Sequence, residues 1–393
     1  MNRKVPVFCQ WAMVAGLLLG CLDGVDAQVW PRGQVDTPYL NVAKRKQLLI
    51  QLDVENGGTI GNNKLVRESF GDIYYNAVNL RVGWQTSSDG DPYHQVYNYP
   101  IYGVGFYAST FRKAAIGTPT ALYGFFSAPI GRRRYKRWDF SYRIALGLAS
   151  NFEPYSEENN PNNVLLGSHR NVFIDLGAQV NYRLGRHLQL GAGLSFHHFS
   201  NGSIRQPNKG INLLPFSTTL TYIPYRQAPD FSKQGLPELD EQGQVHVQYA
   251  FGIKQFDPEN RKRYFKSTLG LYWSYAVGYK WRLGVGGDLF YSDSGNKPEI
   301  AGDAVHKFGS LFSGGPAFYV NHVLTRRLYL NGNAGVYLHR NTFNGEVSAL
   351  FLRIGTRYKV WRNAFAGVSI KAHAGKADFV EWTMGYTLQR QKK

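Results

Sequence analysis

Residues 188–200 read LQLGAGLSFHHFS, and this stretch decides the fold. Its even-numbered positions from Leu188 to Phe196 are apolar, whereas most of its odd-numbered positions are small or polar. Successive side chains of a β-strand point to opposite faces, so the alternation predicts a strand with one apolar and one polar face. About sixteen such stretches, separated by turn residues, follow one another from residue 47. The sequence therefore predicts an all-β protein.

The connections between these stretches differ on the two sides of the predicted sheet. Those after even-numbered strands tend to be short and basic, as at 132–137 and 185–187, while those after odd-numbered strands include long polar runs such as 150–168. Short periplasmic turns and longer external loops are typical of outer-membrane barrels. Two long connections on the short side, 87–98 and 225–242, depart from this rule.

The sheet is expected to close, because an open edge within hydrocarbon would leave backbone groups unpaired at a large free-energy cost. We expect a transmembrane antiparallel β-barrel of roughly 12–16 strands, with a single barrel preferred. Two successive eight-stranded barrels also fit, because the chain divides near residue 225. Residues 28–225 would hold the strands with the active-site motif, and 226–393 would supply additional strands. A weak internal echo between LGAG at 190 and LGVG at 283 aligns Asp293 with Ser200.

The first 27 residues have the layout of a secretory signal peptide, with Arg3 and Lys4 before a short apolar run and a small residue, Ala27, before the cleavage point. Processing and lipidation at Cys21 is an alternative. Both cysteines lie in this segment, so the mature chain has no thiol for a disulfide or a metal site. The net charge of +18 favours contact with lipid phosphates, since an exported chain meets little nucleic acid.

His198 and Ser200 are the candidate catalytic pair. They are two residues apart on one strand, so their side chains share a face and can approach hydrogen-bonding distance. A neutral imidazole can take the hydroxyl proton as Ser200 attacks an ester, then return it to the leaving alcohol. Both residues continue the apolar row from Leu188 at the end of the strand, so we expect them to face lipid at the outer rim. Ordinary interfacial polar residues are the alternative interpretation.

The loop after Ser200 offers further groups for this chemistry. Asn201, Gly202 and Asn208 carry amide donors close to the nucleophile, as an oxyanion hole requires. Arg205 and Lys209 are candidates for binding substrate phosphates, with solvated loop charges as the alternative. The chain contains no H-E-x-x-H, Walker or dinucleotide motif, and we predict neither a metal nor a cofactor.

The same segment resembles the signature of the lipid A 3-O-deacylase (acyloxyacyl hydrolase) family. In that signature a histidine and a serine two apart are followed by asparagine and then by Q-P-N-x-G-I. The matching residues are His198, Phe199, Ser200, Asn201, Gln206, Pro207, Asn208, Gly210 and Ile211. The resemblance covers about 47–225 and implies an outer-membrane barrel of a bacterial cell and a metal-free serine esterase. It further implies hydrolysis of the acyl chain at position 3 of lipid A, with lipopolysaccharide and membrane lipids as partners. The sequence leaves open whether the chain forms homo-oligomers.

One position departs from that family, which has a glutamate where this chain has Asn212. An asparagine carries no charge, but its side-chain carbonyl can accept a hydrogen bond from the histidine and fix its tautomer. Asn212 shares the even-numbered face of its strand with Leu214, so we prefer it as the third member of a Ser-His-Asn triad. Asp175 is an alternative carboxylate on the opposite, lumen face.

The segment also resembles the outer-membrane phospholipase A family, which has an outward-facing Ser-His-Asn triad and an H-x-S-N-G pattern. His198, Ser200, Asn201 and Gly202 match that pattern equally well. The later Q-P-N-x-G-I has no counterpart there, and the phospholipase requires calcium. We therefore predict a lipid A deacylase, with a phospholipase or a non-enzymatic pore or structural barrel as the alternatives.

Overall fold

A computed structural model describes residues 47–60, 73–88, 91, 93–131, 137–224, 231–232, 235–236, 238–239, 242–373 and 376–389, so the predicted signal peptide lies outside the described residues. Within them the chain forms sixteen antiparallel strands, as the alternation predicted. The first eight are β1 (Gln47–Thr59), β2 (Tyr74–Gln85), β3 (Ile101–Thr110), β4 (Gly117–Pro129), β5 (Trp138–Phe152), β6 (Asn171–Arg183), β7 (Leu188–Ser200) and β8 (Ile211–Tyr222). The second eight are β9 (Gln244–Gln255), β10 (Arg263–Ala276), β11 (Trp281–Ser292), β12 (Phe312–Val323), β13 (Leu328–Val336), β14 (Leu350–Trp361), β15 (Ala364–His373) and β16 (Lys376–Gln389).

These strands close into two barrels, so the preference for a single barrel is wrong. Strand β1 pairs with β8, and β16 pairs with β9, which gives two closed eight-stranded barrels. Eight strands enclose a space that side chains can fill, whereas sixteen would enclose an aqueous channel. The long connection at 225–242 departed from the short-turn rule because it lies between the two barrels.

Outward and inward faces alternate along each strand as the sequence predicted. On β7, Leu188, Leu190 and Leu194 are exposed, whereas Ser195 and His197 are buried inside the barrel. An exposed apolar row on the outside of a closed barrel is the surface that contacts lipid. The candidate catalytic residues His198 and Ser200 lie on this wall, at the C-terminal end of β7.

The lumen of the first barrel is filled by charged pairs and aromatic rings. The pairs are Arg81–Asp53, Arg143–Asp175 and His197–Glu55. Tyr107, Phe173 and Phe199 stack beside them and are fully buried. Each buried charge has an opposite charge within contact distance, which offsets the cost of removing it from water.

The lumen of the second barrel is filled in the same way. Arg353 lies between Asp288 and Glu381, and Asp378 accepts from Lys254 and Lys266. The described residues of both lumens therefore pack against one another, as the side chains inside an eight-stranded barrel do.

We expect Arg81→Ala to lower the free energy of unfolding by about 3–5 kcal/mol, because Asp53 would be left buried without its partner. The guanidinium donates a hydrogen bond from Nη2 to Asp53 Oδ1 at 2.8 Å, and its Nη1 lies 2.7 Å from Oδ2 in the same ion pair. Urea unfolding of the protein in lipid bilayers measures the change. Removing both charges with Asp53→Leu and Arg81→Met should cost less, and an equal or larger loss in that double variant would contradict the explanation.

The connections contain only short helical segments in the described part of the chain. These are α1 (Tyr93–Val96), α2 (Pro298–Ala301), α3 (Phe308–Leu311) and 3-10 turns at Asp293–Asn296, Gly302–Ala304 and Thr342–Asn344. Among the residues searched, none of the helices has the length and apolar character needed to cross a membrane.

Candidate active site

Strands β7 and β8 bring the three predicted catalytic side chains together. His198 and Asn212 are cross-strand partners, because the two strands are joined by the 201–210 loop and pair antiparallel. His198 Nε2 lies 2.9 Å from Ser200 Oγ, and His198 Nδ1 lies 2.6 Å from Asn212 Oδ1. The predicted Ser-His-Asn geometry is therefore present.

The hydrogen bonds fix where the histidine proton lies. Asn212 Oδ1 can only accept, so the hydrogen is on Nδ1 of His198. Nε2 of the neutral ring then has a lone pair, and the Ser200 hydroxyl donates to it. This is the tautomer that serine activation needs, because the general base must be able to take the hydroxyl proton.

The pair lies on the lipid-facing side of the wall, as the parity of the strand predicted. Ser200 and His198 share the face of exposed Leu194, whereas His197 points into the lumen and contacts Glu55. Asp175 also lies in the lumen, bound to Arg143, so it does not take the place of Asn212.

The candidate nucleophile, Ser200, is well protected from water. Ser200 is only 2% exposed, and its cross-strand neighbour on β6 is Val172. A ligand can therefore contact the hydroxyl only when neighbouring side chains move. Burial also strengthens the hydrogen bond between Ser200 and His198, because the surroundings have a low dielectric constant.

The predicted oxyanion donors in the 201–210 loop differ in their hydrogen bonds and backbone conformation. The Asn201 main-chain N–H donates to Asn208 Oδ1 at 3.0 Å, and its carboxamide donates to Ser168 Oγ at 2.9 Å. Asn201 also accepts from the Arg205 main chain, so it orders the loop. Gly202 has a φ of +58°, in the left-handed region that favours glycine.

A second glycine lets the loop return close to the histidine. A Cβ added to Gly210, whose φ is +73°, would lie 3.0 Å from His198 Cε1. The Gly210 N–H donates to the carbonyl of Leu165, which lies in the connection between β5 and β6. Ser168 and Leu165 were not among the predicted site residues, because nothing in their local sequence distinguishes them from ordinary loop residues.

The two predicted phosphate-binding residues, Arg205 and Lys209, are exposed on the same loop. Their charged ends are free to reach a ligand that lies against the outer rim.

The fold and the site together define a class: a transmembrane β-barrel with a serine, histidine and amide arrangement on its lipid-facing wall. Residues 78–221 match the family model described as lipid A 3-O-deacylase (PagL), and residues 243–390 match the model described as acyloxyacyl hydrolase, C-terminal domain. The chain belongs to the lipid A 3-O-deacylase family. It is a lipid A deacylase of the bacterial outer membrane.

Several solved barrels resemble parts of the chain at low sequence identity. The outer-membrane enzyme PagL is 15% identical, covers 43% of this chain and 97% of its own, and has a TM-score of 0.30. Neisserial surface protein A is 12% identical; the match covers 44% of this chain and 96% of that protein, with a TM-score of 0.30. The copper transporter OprC is 12% identical; the match covers 84% of this chain and 56% of that protein, with a TM-score of 0.25. No curated protein matches the chain in sequence.

Proposed function

We propose that the first barrel hydrolyses the ester that links an acyl chain to position 3 of lipid A, with Ser200 as nucleophile, His198 as base and Asn212 as the orienting residue. The observation that carries this proposal is the 2.9 Å contact between Ser200 Oγ and His198 Nε2 on the lipid-facing wall. The ester bonds of lipid A lie at the outer-leaflet interface, where that wall ends.

The reaction proceeds through an acyl-enzyme. Ser200 Oγ attacks the ester carbonyl while its proton moves to His198 Nε2. The bond between the carbonyl carbon and the sugar oxygen breaks, and His198 returns the proton to that oxygen. Water then attacks the acyl-serine carbonyl while His198 takes its proton; the bond between the carbonyl carbon and Oγ breaks, His198 returns the proton to Oγ, and the free fatty acid leaves.

The tetrahedral intermediate needs hydrogen-bond donors for its oxyanion. We assign this role to the Gly202 main-chain N–H and the Asn208 carboxamide. The side-chain oxygen of Asn208 accepts from the Asn201 N–H. The NH₂ group of the same carboxamide is then the part that can donate to the oxyanion. Asn201 itself donates its main-chain N–H within the loop, so its role is to hold Asn208 in place.

We expect Arg205→Ala and Lys209→Ala each to raise KM for lipid A by roughly tenfold, because each removes a charged hydrogen bond to phosphate. The kcat value should stay close to that of the wild type. Kinetics with lipid A and with enzymatically dephosphorylated lipid A measure the effect, which should be absent with the second substrate.

Arg186→Ala is the matched control for that experiment, since Arg186 is an exposed arginine in the turn between β6 and β7 at the opposite rim. Equal KM values for the two substrates in the wild-type enzyme would show that Arg205 and Lys209 are only solvated loop charges.

A further inference from the structure

The loop that carries the proposed oxyanion donors is held from the side by the second barrel. The Gln255 main-chain N–H, at the end of β9, donates to the Ser203 carbonyl at 3.0 Å. The Ser203 hydroxyl donates to the Ala377 carbonyl on β16 at 3.1 Å. The Gln206 N–H donates to Gln255 Oε1 at 3.4 Å. Three hydrogen bonds thus join the 201–210 loop to two strands of the other barrel.

Side-chain packing at the same place is tight. A Cβ added to Gly202 would lie 2.2 Å from Val380 Cγ2, while the Val380 N and Cβ would be 3.3 and 3.4 Å away. Val380 is itself only 5% exposed, although it lies on the outward face of β16. The loop therefore covers this part of the second barrel, and Val380 limits where Gly202 can lie.

Both polar atoms of the Gln255 carboxamide make hydrogen bonds. Its Nε2 donates to the carbonyls of Asp257 at 2.6 Å and Asn260 at 3.1 Å, while its Oε1 accepts from the loop. A strand end held in this way is a rigid support for the loop.

We propose that the second barrel is a structural part of the active site, in which Gln255 and Val380 are positioning residues that keep the Gly202 and Asn208 donors aligned with Ser200. This inference rests on the proposed function. It gives residues 244–389 a role in catalysis although they carry no copy of the histidine and serine pair.

Alignment of these donors matters because an oxyanion hole works only at short range. A displacement of about 1 Å can cost up to roughly 10²-fold in rate. Donors of this kind act on the transition state more than on the bound substrate, so their misplacement lowers kcat and leaves KM nearly unchanged. A role of the second barrel in stability alone would not produce this pattern.

The contact between Gly202 and Val380 permits a test by suppression. Gly202→Ala should lower kcat for lipid A by about 10²-fold, as expected when an oxyanion donor is displaced. Adding Val380→Ala removes the colliding Cγ2 atom and should restore kcat at least about tenfold toward the wild type. The left-handed backbone strains alanine equally in both variants, so the difference between them reports the clash with the second barrel.

Two controls separate this effect from general damage. Gly202→Ala with Val368→Ala should show no recovery, because Val368 lies on neighbouring β15 and pairs with Trp382. Gln255→Ala should lower kcat about tenfold or more, whereas Gln244→Ala, at the other end of β9, should not. Heat-modifiable gel migration verifies that every variant is folded.

The outcomes distinguish the two levels of the proposal. If Ser200→Ala is inactive but Gln255→Ala keeps the wild-type kcat and Val380→Ala does not rescue Gly202→Ala, the second barrel has no positioning role. If Ser200→Ala remains active, the proposed function itself is wrong. Recovery in the Gly202 and Val380 double variant, together with a loss in Gln255→Ala at unchanged KM, supports the inference.

Discussion

Replacing Ser200 with alanine should reduce deacylation by about 10⁴- to 10⁶-fold, because no acyl-enzyme can form without the hydroxyl. The fold should be unaffected, since alanine fits the buried space and the hydroxyl is hydrogen-bonded to His198, a contact that the fold does not depend on. Mass spectrometry of lipid A from cells that express the protein measures the result. The wild type should yield lipid A lighter by one hydroxyacyl chain, and the variant should yield unmodified lipid A.

Asp293→Ala is the control for the Ser200 experiment. Asp293 takes the position of Ser200 in the internal echo, but the structure places it in a 3-10 turn after β11, where it accepts from Asn296. Its replacement should leave deacylation intact. Unchanged lipid A spectra with release of lysophospholipid, and inhibition by EDTA, would instead favour the phospholipase alternative.

The wall and the catalytic geometry could be predicted from the sequence because both follow from local alternation. The period of two along β7 places His198 and Ser200 on one face and His197 on the other, and it does so whatever the barrel size. The parity of β8 similarly places Asn212 on the outward face, while the parity of β6 places Asp175 in the lumen. The short loop between the two strands then brings Asn212 opposite His198.

The number of barrels could not be predicted in the same way. Closure depends on pairing between distant strands, such as β1 with β8, and each strand looks the same in an eight-stranded or a sixteen-stranded sheet. Inward-facing charges such as Glu55 and His197 have no visible partner in the sequence, because they lie on β1 and β7 and meet only inside the closed barrel.

Loop geometry and contacts between the barrels were also beyond the sequence. Asn201 was predicted as an oxyanion donor because it follows the nucleophile, yet its N–H and carboxamide donate to Asn208 and Ser168. Gln255 lies 49 residues along the chain from Gln206 and has no motif around it, so no local pattern connects the two.

The second large loss of activity is expected when Asn212 is replaced. Asn212→Ala should lower kcat by about 10²- to 10⁴-fold, because the ring of His198 would lose the acceptor that holds the hydrogen on Nδ1. Substrate binding should change little, since the Asn212 side chain acts through its hydrogen bond to His198. Steady-state kinetics with lipid A measures kcat and KM separately. Thr218→Ala, on the same outward face of β8, is the matched control and should behave as the wild type.

Restoring an acid tests what the amide contributes. Asn212→Asp puts a carboxylate oxygen where Oδ1 now lies 2.6 Å from Nδ1, and it should retain or raise activity because a negative charge stabilises the imidazolium formed during attack. Asn212→Glu, which matches the residue of the family signature, should also be tolerated. Full activity of the alanine variant would reduce the triad to a Ser200 and His198 dyad. If the aspartate variant is folded but inactive, a carboxylate cannot replace the neutral amide as the acceptor for His198 Nδ1.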